Sequence, residues 1–232
     1  MKRVFFPILP IIIASQLFAI AGFGVQLGES MFSVKENFPS MSSNEVQLTN
    51  GAFENAYNIG GYLYLDVIPV IDIEVDFSAQ ANTYEIQFSN IEGTMAPLNF
   101  AWASTDIYFT VRHKIVGFNI PFLAKAKLFA GGGYNTHAST PLANEAIIKN
   151  LLGGTDENLI NGNVDNLSNN LEGFLSNEDN YNTSSGLHVQ GGLQFKLLAL
   201  DSFLFYRHVF IEDLIPDSKG FGSLNLRLGL GF

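Results

Sequence analysis

The sequence predicts an all-β fold: a closed antiparallel eight-stranded transmembrane β-barrel with a long, partly helical outer loop. Three observations lead to this fold class. Eight segments alternate apolar and polar residues with the period of two that a β-strand imposes. Their connections are alternately long and short, as in membrane barrels with long outer loops and short periplasmic turns. Apolar residues make up 47% of the 232 residues, yet beyond residue 21 no apolar stretch is long enough for a spanning helix.

Composition narrows the classes of protein further. Charged residues make up only 15% of the chain, against roughly 25% in soluble globular domains. The chain has no cysteine, which excludes disulfide scaffolds, thiolate metal sites and cysteine nucleophiles. Its net charge of -10 argues against nucleic acid as a partner, because non-specific binding needs Lys and Arg to displace counterions from phosphates. We also predict no cofactor.

The N-terminal residues have the organisation of a secretory signal peptide. Lys2 and Arg3 form its positive end, Val4–Leu17 forms its apolar segment, and Ala19-Ile20-Ala21 is a small-residue cleavage site. The alternative is a membrane anchor, which two prolines inside the apolar segment make less suitable as a spanning helix. We therefore predict a signal peptide at 1–21 and an outer-membrane barrel domain at 22–232.

Alternation defines the strands, and the C-terminal one is the clearest. From Leu224 to Phe232 every second residue is Leu or Phe, and the intervening residues are Asn, Arg and Gly. This strand has about the ten residues that a tilted strand needs to cross a bilayer. For the strand at 200–211 the alternation does not show which face points to lipid, because Phe203 and Phe205 lie on the same face as Arg207. The predicted strands cover 22–33, 57–68, 71–88, 101–114, 122–134, 184–198, 200–211 and 221–232.

The connections between these strands sort by length. The longer ones are Val34–Ala56, Ser89–Phe100, Asn135–Thr183 and Glu212–Gly220, and the shorter ones are Pro69-Val70, Ile115–Pro121 and Ala199. Every short connection falls at the end of the barrel where the periplasmic turns would lie. A soluble β-sandwich has no reason to sort its loops in this way.

With this organisation the chain resembles the small eight-stranded outer-membrane proteins of the OmpA transmembrane-domain and OmpW-like group. The resemblance rests on the signal peptide, on the loop asymmetry and on the terminal segment formed by Leu224, Leu226, Leu228, Leu230 and Phe232. It implies a bacterial outer-membrane location, contact with outer-membrane lipid and lipopolysaccharide, and recognition of that terminal segment by the barrel-assembly machinery. No motif selects a subfamily.

The polar face of the strands predicts the content of the lumen. An eight-stranded barrel is wide enough only for its own side chains or one small ligand, and buried charges require partners. We predict that acidic and basic side chains on opposite arcs of the wall form a cross-lumen network that plugs the barrel. The alternative is a charged, gated narrow pore. The acidic members are Asp66, Asp72, Glu74, Asp76 and Asp106, and the basic members are Arg112, Lys125, Lys127, Lys196, Arg207 and Arg227.

The longest connection, residues 135–183, has helical periodicity. Apolar residues recur with helical spacing over 143–152 and again over 160–175, which predicts two short amphipathic helices outside the membrane. They would cap the barrel mouth, pack on each other or lie on the lipopolysaccharide surface. The loop is strongly acidic, which is typical of a solvated surface. The alternative is a binding site for a ligand or partner at the cell exterior.

Two motifs within or beside this loop suggest chemistry but depart from their patterns. Asn161, Asn163, Asp165 and Glu172 have the spacing of an EF-hand calcium loop over 161–172, without its first Asp and its central Gly. His137-Ala138-Ser139 with the later Glu145 superficially resembles the His-x-Ser of an outer-membrane lipid A deacylase. The helical pattern that follows it does not supply the structural context of such a site. We predict neither a metal site nor a catalytic residue.

The predicted function is therefore an integral outer-membrane barrel with a plugged or narrow lumen and a structural or surface-interaction role. The first alternative is a small-molecule channel of the OmpW type. The second is a lipid-modifying outer-membrane enzyme.

Overall fold

The computed structural model describes residues 20–68, 71–120, 123–175, 177–212, 214–215 and 218–232. Within these ranges, the side chains of residues 20, 67, 68, 172 and 178 are not described. The predicted signal peptide lies outside the described residues, except for its last two positions.

Eight strands form a closed antiparallel ring, which confirms the predicted fold class. Around the ring the order is β1-β3-β4-β6-β7-β8-β9-β10, and β10 pairs back with β1. Two further short strands, β2 and β5, pair with the outer part of β4 and were not predicted. The strands are β1 (Ile20–Val34), β2 (Gln47–Asn50), β3 (Phe53–Ile68), β4 (Ile71–Asn90), β5 (Gly93–Thr94), β6 (Leu98–Ile120), β7 (Ala124–Ser139), β8 (Asn182–Leu197), β9 (Leu200–Phe210) and β10 (Gly220–Gly231).

The pairing register of the ring sets the tilt of its strands. Following paired residues once around the ring from Ile71 leads to Ala81, ten residues further along the same strand. With about 3.3 Å per residue and about 4.8 Å between strands, this shear gives a strand tilt of about 40°. Outer-membrane barrels have tilts of roughly 35–45°.

Several predicted strand ends are wrong. β6 continues from residue 114 to Ile120, so the predicted short connection at 115–121 is mostly strand. The pairing register shifts between Lys114 and Val116, and this bulge reverses the alternation, which ended the sequence pattern too early. At the outer end β7 reaches Ser139 and β8 starts at Asn182, so the long connection covers 140–181 rather than 135–183.

The exterior of the ring is an apolar band. Each of the eight strands carries large apolar side chains that point outward and are between about one third and two thirds exposed, while their chain neighbours point into the lumen. Exposure of such a continuous apolar surface to water is unfavourable, whereas contact with the hydrocarbon core of a bilayer is not. The band includes Phe23, Val25, Leu27, Ile59, Leu63, Ile73, Val75, Phe77, Ile107, Phe109, Val111, Leu128, Val189, Leu193, Leu204, Leu224, Leu226, Leu228 and Leu230.

Helices close the outer end, which we define as the end that carries the long connections. They are α1 (Glu145–Leu151), α2 (Asp156–Asn161) and α3 (Asp165–Leu175). The side chain of Asn144 caps α1 by accepting from the Ile147 N–H at 3.1 Å, and that of Thr155 caps α2 by accepting from the Asn158 N–H at 3.1 Å. No helix in the described part of the chain has the length and apolar character needed to cross a membrane.

The loop helices differ from the prediction in number. The segment at 160–175 was expected to be one helix, but it holds the end of α2 and the whole of α3, with Gly162 in extended conformation between them. Asp165 and the following residues of the EF-hand-like spacing lie on α3 rather than in a loop. The 161–172 segment therefore lacks the continuous loop that calcium ligation of this kind requires.

Helices and strand extensions share one apolar core, which we call the cap. Ile147, Ile148, Leu151, Leu159 and Leu167 of the helices are buried in it. They pack over strand residues that extend beyond the apolar band, so apolar side chains occupy much of the interior above the lumen. The strand and loop members include Leu48, Phe53, Tyr84, Ile86, Phe88, Phe100, Trp102, Val209, Ile211 and Phe221.

Candidate functional site: the filled lumen and the outer pocket

The middle of the lumen is occupied by ion pairs between two acidic side chains and three arginines. The Glu74 carboxylate lies 2.7 Å from Arg227 Nη1 and 3.2 Å from Arg112 Nη1. Asp76 accepts two hydrogen bonds from Arg207, at 2.9 and 2.8 Å, and lies 2.9 Å from Arg227 Nη2. All five side chains are buried. Because an isolated buried charge is very costly, these groups depend on one another.

Aromatic rings enclose the same arginines. The guanidinium carbon of Arg112 lies 4.9 to 5.1 Å from the ring centres of Tyr64, Phe129 and Phe203. That of Arg207 lies 3.8 Å from the ring centre of Tyr108. Arg227 lies in the same way over Tyr62 and Phe205. Cation–π contacts of this kind strengthen when water is excluded, and most of these rings form one buried cluster in the lumen.

A second set of ion pairs lies towards the inner end, where the turns are short. Lys125 Nζ lies 3.0 Å from Asp66 Oδ2, and Asp72 contacts both Lys127 and Arg112, the latter at 3.1 Å. Lys196 is placed at this end but makes no ion pair with any side chain that the structure describes. The Asp201 carboxylate accepts from the Tyr64 hydroxyl and from Gln194 Nε2, at 2.7 Å for the nearer oxygen.

Towards the outer end the lumen holds a polar cluster around Asp106. Its Oδ1 lies 2.6 Å from His137 Nδ1 and accepts from Ser104 Oγ at 2.5 Å. The His137 Nε2 contacts the side-chain amide of Asn135 at 2.7 Å. The Glu145 carboxylate does not join this cluster; it accepts a hydrogen bond from the Ser42 backbone N–H. The structure therefore does not bring Glu145 to His137, as the deacylase-like arrangement would require.

The alternation of the sequence placed the charges in the lumen but missed many of their partners. Nine of the eleven predicted charged residues form ion pairs with one another. Asp106 contacts His137 instead, and Lys196 forms no ion pair with any described residue. The ambiguous strand β9 faces Phe203, Phe205 and Arg207 inwards together. The alternation of the strands could have placed these residues in the lumen, because each of them lies between lipid-facing neighbours in the chain. The missed residues are Tyr62, Tyr64, Tyr108, Phe129, Gln190, Gln194, Asp201, Phe203 and Phe205.

A pocket of about 450 Å³ lies at the outer end, beside the start of the long connection. Trp102, Phe38 and Leu142 form part of its wall, together with Asn37 and Asn50. The two asparagines face each other across an isolated bridge, with N–H···O distances of 3.0 Å in both directions. Asn50 donates from Nδ2 to the Ala143 carbonyl at 2.8 Å. The Oδ1 atoms of both asparagines are buried without a hydrogen-bond partner among the described residues.

The surface around this pocket is acidic. Exposed carboxylates occur on several of the connections at the outer end and on the exposed face of the cap. Lysines are few there, and one of them, Lys149, forms an ion pair with Asp156 at 2.5 Å. This distribution disfavours an anionic partner at the outer end, because like charges repel. The exposed carboxylates include Glu36, Glu45, Glu92, Asp156, Glu157, Asp165, Asp179 and Glu212.

Comparisons with known proteins find low-identity likenesses among solved structures. No family model matches it, and no curated protein matches its sequence. OprG from Pseudomonas aeruginosa is 9% identical over 92% of this chain and 95% of that chain, with a TM-score of 0.45. The Neisserial surface protein NspA is 15% identical over 91% and 95%, at 0.44. Ail from Yersinia pestis, solved with the heparin analogue sucrose octasulfate, is 10% identical over 92% and 99%, at 0.43.

The barrel geometry of this chain is independent of those likenesses. Its ring closes through the pairing of β1 with β10, its strands tilt by about 40°, and its outer face is apolar on every strand. Closure pairs the strand edges within the apolar band, which is what the hydrocarbon core of a membrane demands. The architecture is that of the small eight-stranded outer-membrane β-barrels.

Proposed function

We propose that this protein is a sealed outer-membrane barrel that holds its cap at the cell surface for interaction there. The observation that supports this most directly is the double obstruction of the lumen. The buried cluster of Glu74, Asp76 and three arginines fills the middle, and the apolar cap fills the outer end. A conducting pore needs a continuous water-filled path, and the packed side chains of these two layers occupy the space that it would need.

The test is the conductance of the purified protein in planar bilayers. We expect no steady conductance from the folded barrel. Replacing Asp72, Glu74 and Asp76 by their amides is expected to lower stability without creating or removing a regular current. Asp156→Asn, whose carboxylate lies on the cap surface, serves as the control. A steady conductance of the unaltered protein that the triple substitution abolishes would contradict the proposal and favour a channel of the OmpW type.

A non-catalytic role is part of this proposal. It is supported by the hydrogen bonds of the residues that a lipid-modifying site would use. Both ring nitrogens of His137 are occupied, by Asp106 and Asn135, and the Glu145 carboxylate accepts from the Ser42 backbone N–H. Hydrolytic loss of lipid A acyl chains on expression, abolished by Ser139→Ala, would contradict it.

We propose that the outer pocket binds a neutral, hydroxyl-bearing ring such as a sugar. The unpartnered Oδ1 atoms of Asn37 and Asn50 are acceptors, so they favour a ligand with hydroxyl donors. The exposed ring of Phe38 supplies an apolar face for the C–H surface of such a ring, and the buried Trp102 borders the pocket. The acidic surroundings disfavour a sulfated or phosphorylated sugar.

Fluorescence provides a direct test of ligand binding, because Trp102 is the single tryptophan of the chain and lines the pocket. Titration with glucose, galactose and N-acetylglucosamine is expected to change its emission in a saturable way for at least one of them. Asn37→Ala is expected to weaken that binding roughly tenfold, the equivalent of one hydrogen bond. Asn99→Ala, an exposed asparagine on the outside of β6, should leave it unchanged. No response to any of the three sugars would contradict the proposed ligand class.

We also propose that the barrel-assembly machinery recognises β10 and that outer-membrane lipid and lipopolysaccharide contact the band. The support is the exposure of the terminal segment: Leu224, Leu226, Leu228, Leu230 and Phe232 all point outward. Deleting Phe232 is expected to reduce the amount of folded barrel in the outer membrane, measured by heat-modifiable gel mobility. Unchanged assembly would contradict this role.

A further inference from the structure

At the inner end, β6 continues well beyond the start of its neighbour β4. β4 begins at Ile71, which pairs with His113 of β6, but β6 runs on to Ile120. Within the described residues, β6 beyond His113 is paired on one side only, with β7. At about 3.3 Å per residue and a tilt of about 40°, the extension reaches roughly 15 Å below the start of β4.

The outward face of this extension is apolar. Val116, Phe118 and Ile120 are 62%, 61% and 48% exposed. They pair with Leu128, Ala126 and Ala124 in register, so they continue the face that Leu128 presents to lipid. We call Val116, Phe118, Ile120 and their neighbour Leu123 the apron.

The other face of the hairpin is polar. Gly117 and Asn119 pair with Lys127 and Lys125, whose ammonium groups turn to the lumen and its carboxylates. The apron is also continuous sideways, because Leu197 on β8 pairs with Ala124 and is exposed. The apolar band therefore extends lower on the side of β6 to β8.

Two classes of occupant fit an apolar hairpin with an open edge: a lipid surface and an added β-strand. A second copy inserted in the same membrane does not fit the edge. The two-fold axis of such a pair runs along the membrane normal, and strands tilted by about 40° would then cross at about 80° instead of lying antiparallel. The continuity of the apron with the lipid-facing band favours lipid.

We propose that the apron inserts into the periplasmic leaflet and rests at its boundary between acyl chains and headgroups. Its apolar face then contacts phospholipid chains, and its open backbone edge meets headgroups and water rather than hydrocarbon, where it could not remain unpaired. The inference rests on insertion of the barrel in a membrane, as proposed above.

Site-directed spin labelling tests this proposal. Because the chain has no cysteine, one introduced cysteine is the single site of labelling. Phe118→Cys, Asn119→Cys and Leu226→Cys are each labelled with a nitroxide in the full-length barrel, reconstituted in phosphatidylethanolamine and phosphatidylglycerol vesicles. Accessibility to oxygen, which partitions into lipid, is compared with accessibility to a water-soluble nickel complex. We expect position 118 to resemble position 226 in favouring oxygen, and position 119, on the opposite face, to favour the nickel complex.

The outcomes separate this inference from the barrel proposal. If position 226 favours oxygen while position 118 is as accessible to nickel as position 119, the apron does not insert and the inference is wrong. If position 226 itself favours nickel, the band does not face lipid and the barrel proposal fails. Shielding of position 118 from both reagents would show protein on the apron, such as an added strand, and would also overturn the inference. Heat-modifiable gel mobility verifies that each labelled variant is folded.

Discussion

Glu74→Gln is expected to lower the free energy of unfolding by about 3–5 kcal/mol, the usual cost of removing one partner from a buried ion pair. The carboxylate lies within ion-pair distance of Arg112, Arg227 and, at 3.8 Å, Arg207. A glutamine of the same shape leaves the three guanidinium groups buried with one countercharge fewer. Urea unfolding of the barrel in lipid vesicles, followed by gel mobility and by Trp102 emission, measures the loss.

Asp156→Asn is the matched control for this substitution. It also removes one carboxylate from an ion pair, with Lys149, but its side chain is 77% exposed, and surface pairs contribute about 0–1 kcal/mol. Equal small effects of the two substitutions would show that water reaches Glu74. That result would contradict the sealed lumen on which the proposed function depends.

Trp102→Ala is expected to destabilise the cap by about 3–5 kcal/mol, because it removes a large ring from a packed core. Trp102 is 1% exposed, and its ring centre lies 5.1 Å from that of Phe32 and 6.0 Å from that of Phe53. Among the residues that the structure describes, no ion pair joins the cap to the lumen network, so we expect the barrel to stay folded in lipid while the outer loops open. Limited proteolysis of intact vesicles measures the opening of the loops.

Tyr57→Ala provides the control for loss of an aromatic ring, since Tyr57 is 80% exposed at the outer rim of β3. It should leave the outer loops as resistant to protease as in the unaltered protein. Unfolding of the whole barrel by Trp102→Ala would instead show that cap and barrel form one cooperative unit, contrary to the prediction.

The alternation of the chain was enough to predict the barrel and the side of the wall on which each charge lies. A strand turns successive side chains to opposite faces, so Leu224 and Arg227 were separated without knowledge of any contact. The same rule gave a wrong strand end where the alternation of the sequence was interrupted. The bulge after Lys114 reversed the parity and hid the lower part of β6, and with it the apron.

Partners across the lumen depend on the closure of the ring. The sequence by itself determined the strand period, the sorting of loops and the presence of both charge signs inside, because these follow from local spacing. Only the tertiary structure decided that Glu74 meets Arg227, 153 positions along the chain, that aromatic rings enclose the arginines, and that the loop helices fill the outer end. The shear of the barrel sets which residues share a level, and shear is a property of the closed sheet rather than of any one strand.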